Sequence, residues 1–204
     1  MRGPWIFSTA SSRSSGPCHR RLSRCARGAA GSRTEPPSLS GARKTRFGCA
    51  AYSLLMLWLL RHAEAADGAP DDERPLTEKG MRQADAAGIA LARLGVHLDL
   101  CLSSPKLRAL QTAQRACEPL GVEIRVERAL AGEPFDVDEL VAGLGDVLLV
   151  GHDPSFSMLL HDLTGAQARM RKGGLAAVNK GELISLLRPA ELAGIARLDV
   201  AGVG

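Results

Sequence analysis

The five cysteines, Cys18, Cys25, Cys49, Cys101 and Cys117, contain no C-x-x-C pair and no Cys/His spacing of a zinc site. This usage predicts neither a structural zinc nor a dithiol redox motif, and it fits reduced thiols in a cytoplasmic protein. No apolar run is long enough for a transmembrane helix, so no membrane partner is expected. Acidic residues are nearly missing from residues 1–55, where Glu35 stands alone against ten Lys or Arg. That segment is net +9, which leaves −5 of the chain's +4 for residues 56–204. The basic balance therefore belongs to the head of the chain. The mildly acidic remainder gives no support for a nucleic-acid surface.

Residues 1–55 are rich in Ser, Arg, Gly and Pro and have almost no apolar periodicity. Such a segment cannot bury enough apolar surface to offset its ordering entropy, so it is expected to be disordered. A basic tail, a transit-peptide-like leader and translated upstream sequence with Met56 as the working start all fit this composition. The last is favoured, because ordered patterning begins at Met56. A secretory signal is imitated by Ala50–Leu60 followed by Ala63-Glu64-Ala65. Arg61 and His62 interrupt the approach to that cleavage site, and the preceding head is very long, so this reading is set aside.

From Met56 onward helical and strand patterns alternate in one domain, residues 56–204, without an internal repeat. Strands are expected at Leu57–Leu60, Leu98–Leu102, Glu123–Val126, Asp146–Val150, Glu182–Leu187 and Ala196–Val200. Helices are expected over residues 78–94 with Thr77 as N-cap, from Ser104 (N-cap) and Pro105 to about Leu120-Gly121, over 137–144 and over 155–164. Strands alternating with helices predict a three-layer α/β/α sandwich around a mixed, mostly parallel sheet.

Three of these strands end in polar clusters: Arg61-His62, Ser103-Ser104-Pro105 with Arg108, and Gly151-His152. Strand ends of a parallel sheet share one edge, where ligands bind, so the clusters can converge there. Guanidinium forks match phosphate oxygens, and helix N-termini add N–H donors. Two guanidiniums, two imidazoles and two helix starts therefore suit a phosphoryl group.

Leu60-Arg-His-Ala-Glu-Ala65, Arg74-Pro-Leu-Thr-Glu-Lys-Gly80, Ser103-Ser-Pro-Lys-Leu-Arg-Ala-Leu-Gln-Thr-Ala113 and Val150-Gly-His-Asp-Pro154 occur in that order. Together they resemble the histidine phosphatase (phosphoglycerate mutase-like) superfamily, most of all its short SixA-type phosphohistidine phosphatases. The resemblance covers residues 56 to the end. It implies that His62 becomes a phosphohistidine, that Arg61, Arg108 and His152 hold the phosphoryl oxygens, and that water then attacks the phosphoenzyme. Ser103 is a further candidate to bond the phosphate. For attack, the ring nitrogen of His62 that faces phosphorus must be unprotonated, with the other nitrogen donating to a backbone carbonyl. Ala63 replaces the Gly of the familiar Arg-His-Gly triplet, as in SixA-type members. For the general acid, Asp71 in the first loop is placed above Glu133. No metal and no cofactor are implied. The expected substrate is a phosphohistidine protein acted on by a monomer. Small phosphoesters, nucleoside polyphosphates and a non-catalytic phosphate-binding role are the alternatives.

Plainer readings exist for each residue. Arg61-His62 can be a satisfied structural pair, Arg108 a solvated helix arginine and His152 a helix cap. His152-Asp153 and His161-Asp162 imitate metal phosphohydrolase pairs, but no further His/Asp cluster completes a di-metal site. His97 and His161 suit surface or packing positions. Arg169, Arg171 and Lys172 before Gly173-Gly174 suit a solvated loop, or a contact with an acidic substrate.

Overall fold

The structure is a computed structural model and describes residues 56–197. The expected disorder of residues 1–55 lies outside the described residues. The strands are β1 (Met56–Arg61), β2 (Leu100–Ser103), β3 (Ile124–Val126), β4 (Val147–Gly151), β5 (Leu175–Asn179) and β6 (Glu182–Leu187). The helices are α1 (Glu78–Arg93), α2 (Leu107–Cys117), α3 (Val137–Leu140), α4 (Ser155–Thr164) and α5 (Pro189–Ile195), with three short 3-10 turns between elements. The sheet runs β3-β2-β4-β1-β5-β6. Its β3-β2, β2-β4 and β4-β1 pairings are parallel, whereas β5 and β6 add antiparallel.

β1 and β4 sit inside the sheet and bury both faces, which is why both are continuous apolar runs rather than alternating ones. Their side chains divide by parity. Leu57 and Leu59 join Val147 and Leu149 beneath Phe156, Leu159 and Leu160 of α4. Trp58 and Leu60 join Leu148 and Val150 against Ala87, Ala90 and Leu91 of α1 and Ala109, Ala113 and Ala116 of α2. Each fully buried Leu contributes roughly 1.5–3 kcal/mol, so β1 is firmly anchored ahead of Arg61 and His62. The result is the α/β/α sandwich expected, with α1, α2 and α5 on one face and α3 and α4 on the other.

Thr77 caps α1 as anticipated, its hydroxyl accepting from the Gly80 N–H at 3.0 Å. Gly80 has no room for a side chain, because a Cβ there would collide with the Glu64 carbonyl. That close approach ties the start of α1 to the loop following His62.

Several elements differ from expectation. α2 begins at Leu107 rather than Pro105, with Lys106 as its cap residue in an extended conformation. Ser104 is not the cap residue, but its hydroxyl accepts from the Lys106 N–H at 3.3 Å while also engaging His152 at 2.9 Å. The helix over 137–144 shrinks to Val137–Leu140, capped by the Asp136 carboxylate. No strand begins at Ala196, which is instead the C-cap of α5, and residues 198–200 of the expected strand lie outside the described residues. α5 was legible in principle, since Pro189 occupies its first turn and Glu191 accepts from the Arg188 N–H at 2.7 Å. β5 was missed because Leu-Ala-Ala-Val-Asn neither alternates nor is bulky enough to resemble a buried strand.

Candidate active site

Register brings the expected clusters together. Arg61 of β1 pairs with Gly151 of β4, and Ser103 of β2 pairs with Val150. The ladder continues one residue further: His62 N donates to Gly151 O and Ser104 N to Val150 O, each at 2.9 Å. His62, Ser104 and His152 thus leave the sheet side by side at its C-terminal edge.

His62 is buried, and its Nδ1 lies 2.8 Å from the Ala63 carbonyl. A carbonyl only accepts, so Nδ1 carries the proton and Nε2 keeps its lone pair. Burial lowers the imidazole pKa to about 4. The Ala63 carbonyl opposes that shift, while Arg108, Arg61 and Lys172 add to it through their charge. The ring is therefore neutral at physiological pH, with a lone pair free at Nε2. His152 lies with its ring centroid 5.0 Å from that of His62, tilted by 51°. Its Nε2 and the Ser104 hydroxyl are 2.9 Å apart. Burial, then the His62, Arg108 and Lys106 charges, lower its pKa to about 3.

Two arginines complete the edge. Arg61 Nη1 donates to the Met170 carbonyl at 2.7 Å and sits 3.5 Å from an Asp153 carboxylate oxygen. Its Nε is buried and has no hydrogen-bond partner. Arg108, in the first turn of α2, is buried; Nη1 donates to the Asp71 carbonyl at 2.6 Å and Nη2 to the Asp71 carboxylate at 2.9 Å. Arg108 is therefore not a solvated helix arginine.

Asp71 stands at the mouth of this cluster, in a 3-10 turn, with its side chain about half exposed. Arg108, then Lys106 at 3.2 Å, and Arg74 at 3.1 Å hold its carboxyl well below the usual carboxylate range. Glu133 is exposed, and no hydrogen bond or ion pair joins it to the cluster. The Ser103 hydroxyl is fully buried and donates to the Ser104 carbonyl at 3.1 Å. The neighbouring Ser104 is the serine that reaches the site.

Two further residues at the site escaped the sequence. Lys106 reaches both Asp71 and Asp72 at 3.2 Å. Thr112 accepts from the Ala63 N–H at 3.1 Å while donating to the Arg108 carbonyl at 2.6 Å, so one hydroxyl bonds the backbone of both functional segments. Its position four residues after Arg108 on a helix places it one turn below, which was the available signal. Among the described residues no group of three His, Cys, Asp or Glu forms that could hold a metal ion. No described helix is long and apolar enough to cross a membrane.

A neutral, oriented imidazole between two arginines and a second imidazole, all at the edge of an α/β sheet, defines a protein built to handle phosphoryl groups. The histidine phosphatase superfamily (branch 1) model matches residues 57–133. An uncharacterised protein of Mycobacterium tuberculosis is 34% identical over 155 residues, covering 70% of this chain and 88% of the relative. A solved protein assigned as the phosphohistidine phosphatase SixA of Agrobacterium tumefaciens superposes with a TM-score of 0.62 at 28% identity, over 67% of this chain and 99% of that one. The protein histidine phosphatase SixA, solved with tungstate, gives 0.60 at 26% identity over the same shares. The chain belongs to the histidine phosphatase superfamily, with SixA-like relatives, and that membership supports phosphatase activity.

Proposed function

We propose that this protein removes phosphoryl groups from phosphohistidine side chains of other proteins through a phosphorylated His62. The observation that carries the reading is the 2.8 Å contact of His62 Nδ1 with the Ala63 carbonyl, which leaves Nε2 as the nucleophile. Nε2 attacks phosphorus as the bond from phosphorus to the leaving nitrogen breaks, and a proton goes to that nitrogen. Water then attacks the phosphorylated His62, releasing inorganic phosphate and restoring the imidazole. Arg61, Arg108 and His152 surround the transferred group, where fixed donors stabilise charge spreading over its oxygens. The unpartnered Nε of Arg61 would be satisfied by one such oxygen. An incoming phosphoryl group would also compete with Asp71 for Arg108, freeing that carboxylate to exchange a proton with the leaving group.

The substrate class is supported by the likeness to SixA and by connections too short to form a large lid. The loop between β1 and α1 is only residues 62–77. Such an open edge suits a side chain carried on a macromolecule. The two described cysteines, Cys101 and Cys117, are free thiols buried in the core, in keeping with a cytoplasmic setting.

A dephosphorylation panel of phosphohistidine proteins, sugar phosphates and an aryl phosphate tests the reading. Phosphohistidine proteins should give the highest kcat/KM, and brief exposure to a phosphodonor should leave an acid-labile, base-stable label on His62. Preference for a small phosphoester would replace the substrate, whereas normal phosphate binding without label would sink the enzyme.

A further inference from the structure

The loop joining α4 to β5 carries Arg169, Arg171 and Lys172, all exposed. Among the described residues none of the three forms an ion pair. The cations nearer the site are instead neutralised: Arg61 by Asp153, Arg74 by Asp67 and Asp71, Lys79 by Glu64, and Lys106 and Arg108 by Asp71. In a part of the chain that is net −5, three neighbouring unpaired cations are an uncompensated positive face.

Residues of the site hold this loop in place. Between Arg169 and Arg171, Met170 is fully buried, its carbonyl accepting from Arg61 at 2.7 Å and its N–H donating to Ser157 at 3.1 Å. Gly173 N–H donates to the carbonyls of Arg61 and His62 at 3.1 and 3.0 Å, and it does so at φ +70°, where glycine is favoured. Gly174 N donates to the Arg171 carbonyl at 2.8 Å, closing a turn that presents Lys172. A merely solvated loop needs no such anchorage. The charge of Lys172 is felt at His62 and that of Arg169 at Arg61, which places both beside the phosphoryl site.

We propose that Arg169, Arg171 and Lys172 form a docking rim for acidic side chains that flank the phosphorylated residue of a protein substrate. This rests on the phosphoprotein reading above. Three exposed cations on one anchored loop match, by charge, several carboxylates carried on a polypeptide.

The test uses the full chain and two phosphoserine peptides as competitors of an aryl phosphate, one with Asp and Glu flanks and one with Asn and Gln flanks. The wild type should bind the acidic peptide about tenfold tighter, with the preference shrinking as salt rises. R171Q should lose much of that preference and keep its kcat/KM for the aryl phosphate. Arg169 and Lys172 are left in place because their charges reach Arg61 and His62. The basic head is the same in both proteins, so a preference that survives undiminished in the variant belongs elsewhere and overturns the rim, as does equal binding of the two peptides by the wild type. If the rim behaves as expected but phosphohistidine proteins are not hydrolysed, the substrate reading fails and the rim stands.

Discussion

Arg108 grips Asp71 twice, through the backbone carbonyl at 2.6 Å and through the carboxylate at 2.9 Å. The guanidinium proposed to bind the phosphoryl group is thus engaged by an internal anion, and Lys106 shares the same carboxylate. On that proposal the ion pair is exchanged for the substrate, and the exchange changes the protonation of Asp71. While the three cations hold it, the carboxyl stays ionised and has no proton to give. Once a phosphoryl group draws Arg108 away, its pKa rises toward the ordinary value.

Asp71→Asn should separate these two effects. Inorganic phosphate should inhibit the variant more strongly, since the neutral amide competes less for Arg108. An alkyl phosphoester, whose oxygen leaves poorly without a proton, should lose on the order of 100-fold in kcat. A phosphoramidate, whose nitrogen can leave already protonated, should lose less than about tenfold. Equal losses on both substrates in steady-state kinetics would remove Asp71 as the acid.

The pH dependence follows from the lowered histidine pKa values. With His62 near 4, its Nε2 remains unprotonated well below pH 6.5, so the acid limb of kcat/KM for free enzyme should fall near pH 4 to 5. Stability follows with a definite sign. A histidine whose pKa is lower folded than unfolded binds its proton more readily in the unfolded chain. Stability is therefore complete above about pH 6.5 and is lost as pH falls from there to about 4, on the order of 3 kcal/mol for His62 alone at 1.36 kcal/mol per pKa unit. Urea midpoints at pH 7 and pH 5 should differ, and His62→Ala should reduce the difference while His152 maintains the remainder. A pH-independent midpoint in the wild type would contradict the burial of both rings as neutral species.

The convergence of Arg61, His62, Arg108 and His152 was legible in the sequence because each follows an apolar strand, and strand ends of a parallel sheet meet at one edge. What the sequence hid depends on distances that periodicity does not encode. Ser103 and Ser104 are adjacent residues of the same type, and only the register with Val150 turns the second toward His152. Lys106 precedes α2 in an extended conformation and reaches Asp71 at 3.2 Å, a contact that helical periodicity does not encode. The central residues of β5, Ala176 and Ala177, are buried between β1 and β6. A small apolar stretch gives neither the alternation of a half-buried strand nor the heavy run of a buried one.

Ser104→Ala removes the hydroxyl that fixes the second imidazole. His152 is buried and neutral, so loss of its 2.9 Å partner at Nε2 frees the ring to turn in its pocket. Phosphoryl transfer depends on fixed donors, and a loosened one should cost about tenfold in kcat with little change in KM. Ser103→Ala is the matched control and should leave kcat within about twofold, because that hydroxyl bonds the Ser104 carbonyl. A larger kcat loss for the Ser103 variant would restore it to the phosphate site.

Thr112→Val tests whether one hydroxyl couples the two functional segments. Valine keeps the shape but leaves the Ala63 N–H buried without its 3.1 Å acceptor. An unsatisfied buried donor costs about 1–3 kcal/mol, so the thermal midpoint should fall by several degrees. Ala63 also supplies the carbonyl that holds the His62 proton, so displacement of its peptide should loosen the tautomer that leaves Nε2 free. The kcat should therefore fall by about tenfold more than Thr112→Ser, which keeps the hydroxyl. Phosphoenzyme formation in a single turnover is the measurement that distinguishes this from a stability defect. If Thr112→Val is destabilised but phosphorylates His62 at the wild-type rate, Thr112 only holds the fold, and the orientation of His62 depends on the Gly151 and Gly173 backbone bonds alone.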